Sequence, residues 1–297
     1  MDAPTPLEEA PAGLGDGPLF LKREDVHELG AFKWRGALPA LELYRSRGAD
    51  AVVTASTGNH GAASAWAAER LGMRAVVFAP EGASRAKVSL LERLGAELQL
   101  VGEDLDASKD LGQAWAAERG LPFFEDGAEP AQFEGYAEIG NELLSQLGQP
   151  PARVVVPVGN GALVIGVARA VGAAAVGVVA KAAPVMAVSV AAGRPVEGER
   201  SATFADGMAV RVAIPLAVEE IVRLGVPMTT VSERAIARAV GDFAAAGIRV
   251  EGSAAAALAA HHALGAADGP TVLIVTGRNI EDELHRRAAK EPESFPD

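Results

Sequence analysis

Four places in the chain carry residues whose types and spacing could do chemistry. Lys33 stands between two aromatic residues in Gly30-Ala31-Phe32-Lys33-Trp34-Arg35-Gly36. Most lysines are solvated surface residues. One beside aromatic rings can instead lose water, which lowers its pKa and makes its amine a nucleophile toward carbonyls. Composition does not choose between the two. The other three places are glycine loops. Ser56-Thr57-Gly58-Asn59-His60-Gly61 follows the apolar run 51–54 and precedes a helical pattern. A strand–loop–helix joint presents unpaired backbone N–H groups at the helix start, where an anion is stabilised. Glycines let a ligand approach the backbone closely. Ser, Thr and Asn also favour plain N-caps, so an ordinary capped turn is the alternative. Gly159-Asn160-Gly161-Ala162 repeats the geometry after the run 154–158. Thr276-Gly277-Arg278-Asn279 places a hydroxyl and an amide after the run 271–275.

The elements that must position these loops alternate along the chain. Short β-branched runs at 51–54, 75–78, 98–101, 154–158, 175–179 and 271–275 are apolar on both faces, as buried parallel strands are. Ala-rich helical patterns lie at 62–71, 84–94, 108–118, 136–147, 163–171, 233–246 and 254–264. Such alternation predicts an α/β fold with parallel sheets. In such folds ligands bind at the carboxyl ends of strands, which is where all three loops fall. The most apolar stretch, 173–193, is interrupted by Lys181 and Pro184 and reads as a buried strand and helix. His27, His261, His262 and His285 read as structural, with His261 and His262 at a helix end that suits a cation. The tail from 290 to 297 reads as frayed.

Composition excludes several classes. The chain has 297 residues and no Cys, which removes disulfides, thiolate metal sites and a cysteine nucleophile. With 27 Lys and Arg against 39 Asp and Glu the net charge is −12, which argues against nucleic-acid binding as the main role. A mean hydropathy of +0.16 argues against disorder. The N-terminus is acidic and rich in Pro and Gly, unlike a signal peptide, so a cytoplasmic location with no membrane partner is expected. The second loop is no dinucleotide fingerprint. Position 164 is Val rather than Gly, and no acid follows as far as 183.

Seven motifs occur in order: LKRED at 21–25, AFKWRGA at 31–37, STGNHG at 56–61, PVGNGAL at 157–163, ADGMAV at 205–210, VEGSAAAALAA at 250–260 and VTGRNI at 275–280. Together they resemble the pyridoxal-phosphate enzymes of the tryptophan synthase β-subunit class (fold type II), and most nearly the threonine/serine ammonia-lyases. The resemblance implies two three-layer αβα domains with twisted, mostly parallel sheets. Residues 1–37 plus 125–297 would form a large cofactor-binding domain, and 38–124 a small mobile substrate-binding domain. It implies pyridoxal 5'-phosphate as cofactor, with Lys33 as the catalytic residue that forms its Schiff base. Phe32 and Asn59 would lie beside the cofactor, Asn59 at its 3-hydroxyl. Gly159, Asn160, Gly161, Ala162 and Leu163 would hold its phosphate, and Thr276 would meet its ring nitrogen. Ser56, Thr57, Gly58, Asn59 and His60 would hold the substrate carboxylate.

A neutral hydroxyl at the ring nitrogen makes the cofactor a weaker electron sink than an aspartate would, which suits β-elimination. The implied reaction converts a hydroxy amino acid such as L-threonine or L-serine into a 2-keto acid and ammonia. In it the freed Lys33 amine removes the Cα proton. Replacement chemistry like that of threonine synthases, and a non-catalytic pyridoxal-phosphate or anion-binding protein, are the alternatives. This sequence departs from the family at the phosphate loop, usually four glycines, where Asn160 and Ala162 stand. Ala31 replaces a Ser, and Arg278 replaces a Gly. Thr57 stands where racemase relatives carry Ser, which disfavours racemisation. Ala202 stands where an acid of a cation site is expected, so no essential metal is expected. The chain stops soon after VTGRNI, so no effector-binding domain and no feedback by isoleucine are expected. Relatives imply a homodimer.

Overall fold

Nine strands form among the described residues, 3–198 and 201–297, of a computed structural model, six of them from the apolar runs. These are β1 (Leu7–Glu9), β2 (Leu19–Arg23), β3 (Ala51–Ala55), β4 (Arg74–Ala79), β5 (Glu97–Leu100), β6 (Arg153–Pro157), β7 (Ala175–Ala180), β8 (Met228–Val231) and β9 (Thr271–Val275). Contacts divide the chain into two units, crossing between Phe32 and Lys33 and again between Gly135 and Tyr136. The second crossing falls inside the helix Pro130–Leu147. The smaller unit, Lys33–Gly135, extends the expected small domain, 38–124, by residues 33–37, where the helix Trp34–Ser46 begins, and by residues 125–135; that helix packs along Asn59–Leu71.

The larger unit holds a six-stranded sheet in the order β1-β2-β9-β6-β7-β8. Every pair is parallel except β1 with β2. Leu21 and Val155 both pair with Leu273, so β2, β6 and β9 end at one level. The register therefore sets the segments after Arg23, Pro157 and Val275 along one edge. The helix Gly252–Leu264 packs on β6 to β9, and Ala162–Val171 packs on β6 and β7. From Gly252 to His261 every residue is buried. An alanine surface lets such a helix lie close to the sheet on all sides.

Strands β1, β2 and β8 are additions to the sequence reading. β2 escaped notice because LFLKRED reads as a charged surface run. Lys22 is in fact fully buried, its Nζ donating to Glu142 (2.6 Å), the Thr5 carbonyl (2.7 Å) and Gln146 (3.0 Å). The tail is also held rather than frayed. Helix Asp282–Lys290 leads to Phe295, which is buried and packs against Phe204 and under Arg287. The stretch 173–193 forms β7 and the helix Val185–Ala192, as read. Among the described residues no helix is long and apolar enough to cross a membrane.

The smaller unit holds β3-β4-β5, all parallel. Phe123 adds a bridge to Val53, with Val53 N–H donating to Pro122 and Phe124 N–H to Val53. The segment around Phe123 thus runs as a short fourth strand beside β3. Alternation sets the layers: Val76 and Phe78 pack with Ala116, whereas Val77 packs with Ala62 and Leu91. Residues one apart face opposite sides of a strand. The helices Leu105–Arg119 and Asn59–Leu71 therefore cover opposite faces, giving three layers.

Two buried histidines set a pH dependence. His60 and His261 both titrate below the usual imidazole range because burial penalises the cation. His261 is therefore neutral, not the dipole-matched cation that its place at a helix end implies. The ordinary value is 6.5, so the unfolded chain takes up protons first as pH falls. Stability is complete above about pH 6.5 and declines below it. Thermal melts should show a flat Tm from about pH 8 to 7 and a falling one toward about pH 5. A Tm constant over that window would refute this.

Candidate active site

In the larger unit, five of the seven motifs lie at or beside the carboxyl edge of the sheet. The backbone pins the segment before the lysine to the loop after β9. Ala31 bridges Gly277, Phe32 N–H donates to Thr276, Arg278 N–H donates to Gly30, and Asn279 Nδ2 donates to Leu29. Gly30 has φ +68, and a Cβ there would lie 2.5 Å from Asn279 Oδ1, so glycine is required twice over. Phe32, the residue next to Lys33, is thereby fixed beside Thr276.

Thr276 is buried, and its hydroxyl donates to Glu251 Oε1 at 3.0 Å. Glu251 N–H in turn donates to the Gly277 carbonyl. A Cβ on Gly277 would come within 2.8 Å of Glu251 Oε2, so that glycine makes room for the carboxylate. Sequence reading placed a lone hydroxyl here and missed Glu251, which looks like an ordinary helix-start acid in VEGSAAAALAA. Arg278, the departure nearest this loop, has an exposed side chain.

The loop after β6 shows how Asn160 and Ala162 replace glycines. Asn160 Oδ1 accepts from Ala162 N–H at 3.1 Å, a side-chain cap that closes the turn. Ala162 is the first residue of its helix, a conformation open to any L residue. Gly161 has φ +101, and a Cβ would meet Ile221 at 2.9 Å, so this position keeps glycine. Gly159 is packed tighter still: its Cβ would lie 2.2 Å from the Gly207 carbonyl oxygen. A Cβ on Gly207 would lie 2.8 Å from Ser253 Oγ. Three motifs far apart in sequence, PVGNGAL, ADGMAV and VEGSAAAALAA, thus meet at one point.

Ser253 Oγ is buried there with no hydrogen-bond partner among the described residues. A buried hydroxyl without an acceptor is costly unless a ligand supplies one. With two helix starts beside it, from Ala162 and from Gly252, this point fits an anion such as a cofactor phosphate.

In the smaller unit Lys33 stands at the N-cap of Trp34–Ser46. Its amine is ion-paired with Asp126 Oδ2. Trp34 instead packs edge-on against Trp66, at 6.0 Å between centroids. Asp126 was missed because FFEDGAEP reads as a surface acidic turn. It sits just past the short strand beside β3, at the same end as the 56–60 loop. Burial alone would push its carboxyl up. The Lys33 ammonium beside it and hydrogen bonds from Lys33 and Gln132 outweigh burial and hold it far below the usual carboxylate range.

The 56–60 residues gather at the same end. Gly58 N–H donates to Ser56 Oγ, and the helix begins at Asn59. Thr57 and Asn59 are partly exposed and Gly58 is exposed. His60 is buried, its ring 4.6 Å from that of Phe124. Its Nε2 lies 3.0 Å from Thr54 Oγ1 and 3.2 Å from the Phe124 carbonyl, to which Thr54 also donates. Because that carbonyl only accepts, Nε2 carries the proton and Nδ1 the lone pair. Nδ1 is 3.6 Å from Asp126 Oδ1.

Comparison with known proteins agrees with this chemistry. Residues 2–277 match the family described as "Pyridoxal-phosphate dependent enzyme". The chain is 33% identical over 273 residues to the L-threonine ammonia-lyase of Geobacter sulfurreducens, covering 89% of this chain and 68% of that one. It is 33% identical over 216 residues to the biosynthetic L-threonine dehydratase IlvA of Pasteurella multocida, covering 70% of this chain but 42% of that one. The fold matches the processed form of threonine deaminase isoform 2 from Solanum lycopersicum with a TM-score of 0.90 at 28% identity, over 99% of this chain and 89% of that one. Seven ordered motifs, a mostly parallel α/β fold and a family match along nearly the whole length lead to one conclusion: the chain belongs to the pyridoxal-phosphate dependent enzyme family.

Proposed function

We propose that the protein catalyses the elimination and deamination of a small hydroxy amino acid, L-threonine or L-serine, to a 2-keto acid and ammonia. The observation that carries this reading is the ion-paired Lys33, one residue from Phe32, whose N–H is bonded to Thr276 of the ring-nitrogen loop. The relatives named above, themselves threonine ammonia-lyases or dehydratases, support it. Pyridoxal phosphate, bound through a Schiff base, supplies the electron sink that acidifies the Cα proton.

The protein's own residues do the rest. Lys33 Nζ would hold the cofactor and, when free, would serve as the base for the Cα proton. Backbone N–H groups of 159–163, with Ser253, would hold the phosphate. Thr276, oriented by Glu251, would meet the ring nitrogen. Asn59 would meet the 3-hydroxyl, and the 56–60 backbone would bind the substrate carboxylate. Hydroxide leaves Cβ as water once protonated. Hydrolysis of the released enamine takes water up again, so keto acid and ammonium are the net products. The resemblance supports a homodimer, the N-terminal composition a cytoplasmic location, and Ala202 at the family's cation site a reaction without an essential metal.

Keto-acid formation from L-threonine and L-serine tests the reading. Phosphate release from O-phosphohomoserine, without keto acid from either substrate, would replace it with replacement chemistry. A protein that binds pyridoxal phosphate and turns over none of these would be the non-catalytic binder.

A further inference from the structure

The catalytic lysine has a built partner that the reaction outlined above does not use. Asp126 is anchored from behind. Gln132 Nε2 donates to its Oδ1 at 3.0 Å, leaving Oδ2 for Lys33 Nζ. Gln132 is fully buried, and its own Oε1 accepts from Gly127 N–H at 2.8 Å. That backbone donor fixes which end of the amide faces the carboxylate. The other ionisable groups around Asp126 do not compete for Lys33. His60 is neutral and turns Nδ1 toward Oδ1 at 3.6 Å. Glu125, next in the chain, is paired with Lys109.

We infer that Asp126 is a positioning residue for the reaction, a permanent carboxylate that holds Lys33 Nζ. It would act as counter-ion while that nitrogen carries the cofactor, and as the docking point when substrate releases it. The Schiff-base nitrogen and the nitrogen that Asp126 grips are the same atom. An anion beside a protonated Schiff base stabilises its proton. A carboxylate held ionised accepts hydrogen bonds only, so Asp126 is not the acid that protonates the leaving hydroxyl. The inference rests on the proposed function through Lys33 alone.

The test is the pH titration of the Schiff-base absorbance of the reconstituted holoenzyme, from about pH 6 to pH 10. Asp126→Asn keeps the shape but removes the charge and, with its Oδ1 still held by Gln132, turns an amide donor rather than an acceptor toward Lys33. Its deprotonation midpoint is expected about one pH unit or more below wild type, a tenfold loss of proton affinity. Asp126→Glu, which restores the charge, is expected to recover part of that shift. A midpoint unchanged in Asp126→Asn, with any accompanying loss of Tm, would overturn the inference and leave the functional reading intact. If the Asn variant does not fold, Asp126→Ser makes the same measurement, with the same two outcomes. No Schiff-base band in wild type, and none distinguishing it from Lys33→Ala, would instead overturn the functional reading itself.

Discussion

Lys33→Ala should show no Schiff-base absorbance with pyridoxal phosphate, and its keto-acid formation should fall by at least about 1,000-fold. The estimate combines loss of the covalent attachment with loss of a general base, which alone contributes roughly 100- to 10,000-fold. The alanine also strands Asp126 in a site where burial disfavours its charge, so part of any effect could come from stability. Lys33→Arg separates the two. A guanidinium can still face Asp126, but it forms no Schiff base and is not a base at neutral pH. Arg is therefore expected to match Ala in activity while melting close to wild type. Activity of the Arg variant within about tenfold of wild type would remove Lys33 from the chemistry.

Gly159→Ala should be the second most damaging single change. Its new Cβ would stand 2.2 Å from the Gly207 carbonyl oxygen, and neither backbone can step aside without moving a motif. Overpacking of this kind costs about 3 kcal/mol. A shift of the loop by even ~1 Å costs on the order of 100-fold in a positioned site. Cofactor affinity, measured by fluorescence or absorbance titration, is expected to drop at least that far. Ala162→Gly is the control. Ala162 begins its helix without strain, so the change costs roughly 0.5–1 kcal/mol of helix stability and little affinity. If the two variants lose affinity equally, the loop does not hold the phosphate in the way proposed.

The Asn160 cap changes how the departures in this loop are understood. By resemblance, two missing glycines put the loop in question. Asn160 replaces backbone freedom with a side-chain acceptor for Ala162 N–H, and glycine persists at Gly159 and Gly161, where no Cβ fits.

Much of the fold and the site can be read along the chain. Buried parallel strands announce themselves as short runs apolar on both faces, so β3, β4, β6, β7 and β9 were legible; β5 was found by the same rule but is an exposed edge strand, with Leu100 43% exposed. Loops at strand ends carry their chemistry in their residue types, so Lys33, Gly159, Gly161 and Thr276 stood out. These are local signals: a strand, the turn after it and the helix start lie within about a dozen residues.

What tertiary structure alone decided is which charges are buried and against what. Lys22 meets Glu142 across 120 residues, Lys33 meets Asp126 across 93, and Thr276 meets Glu251 across 25. In sequence Lys22, Asp126 and Glu251 look like solvated surface residues, because a single charge carries no periodicity and its partner lies elsewhere. A buried charge persists only when a partner arrives to compensate lost water. That compensation is a property of the folded chain, and it turns an aromatic-flanked lysine into one held by a fixed carboxylate.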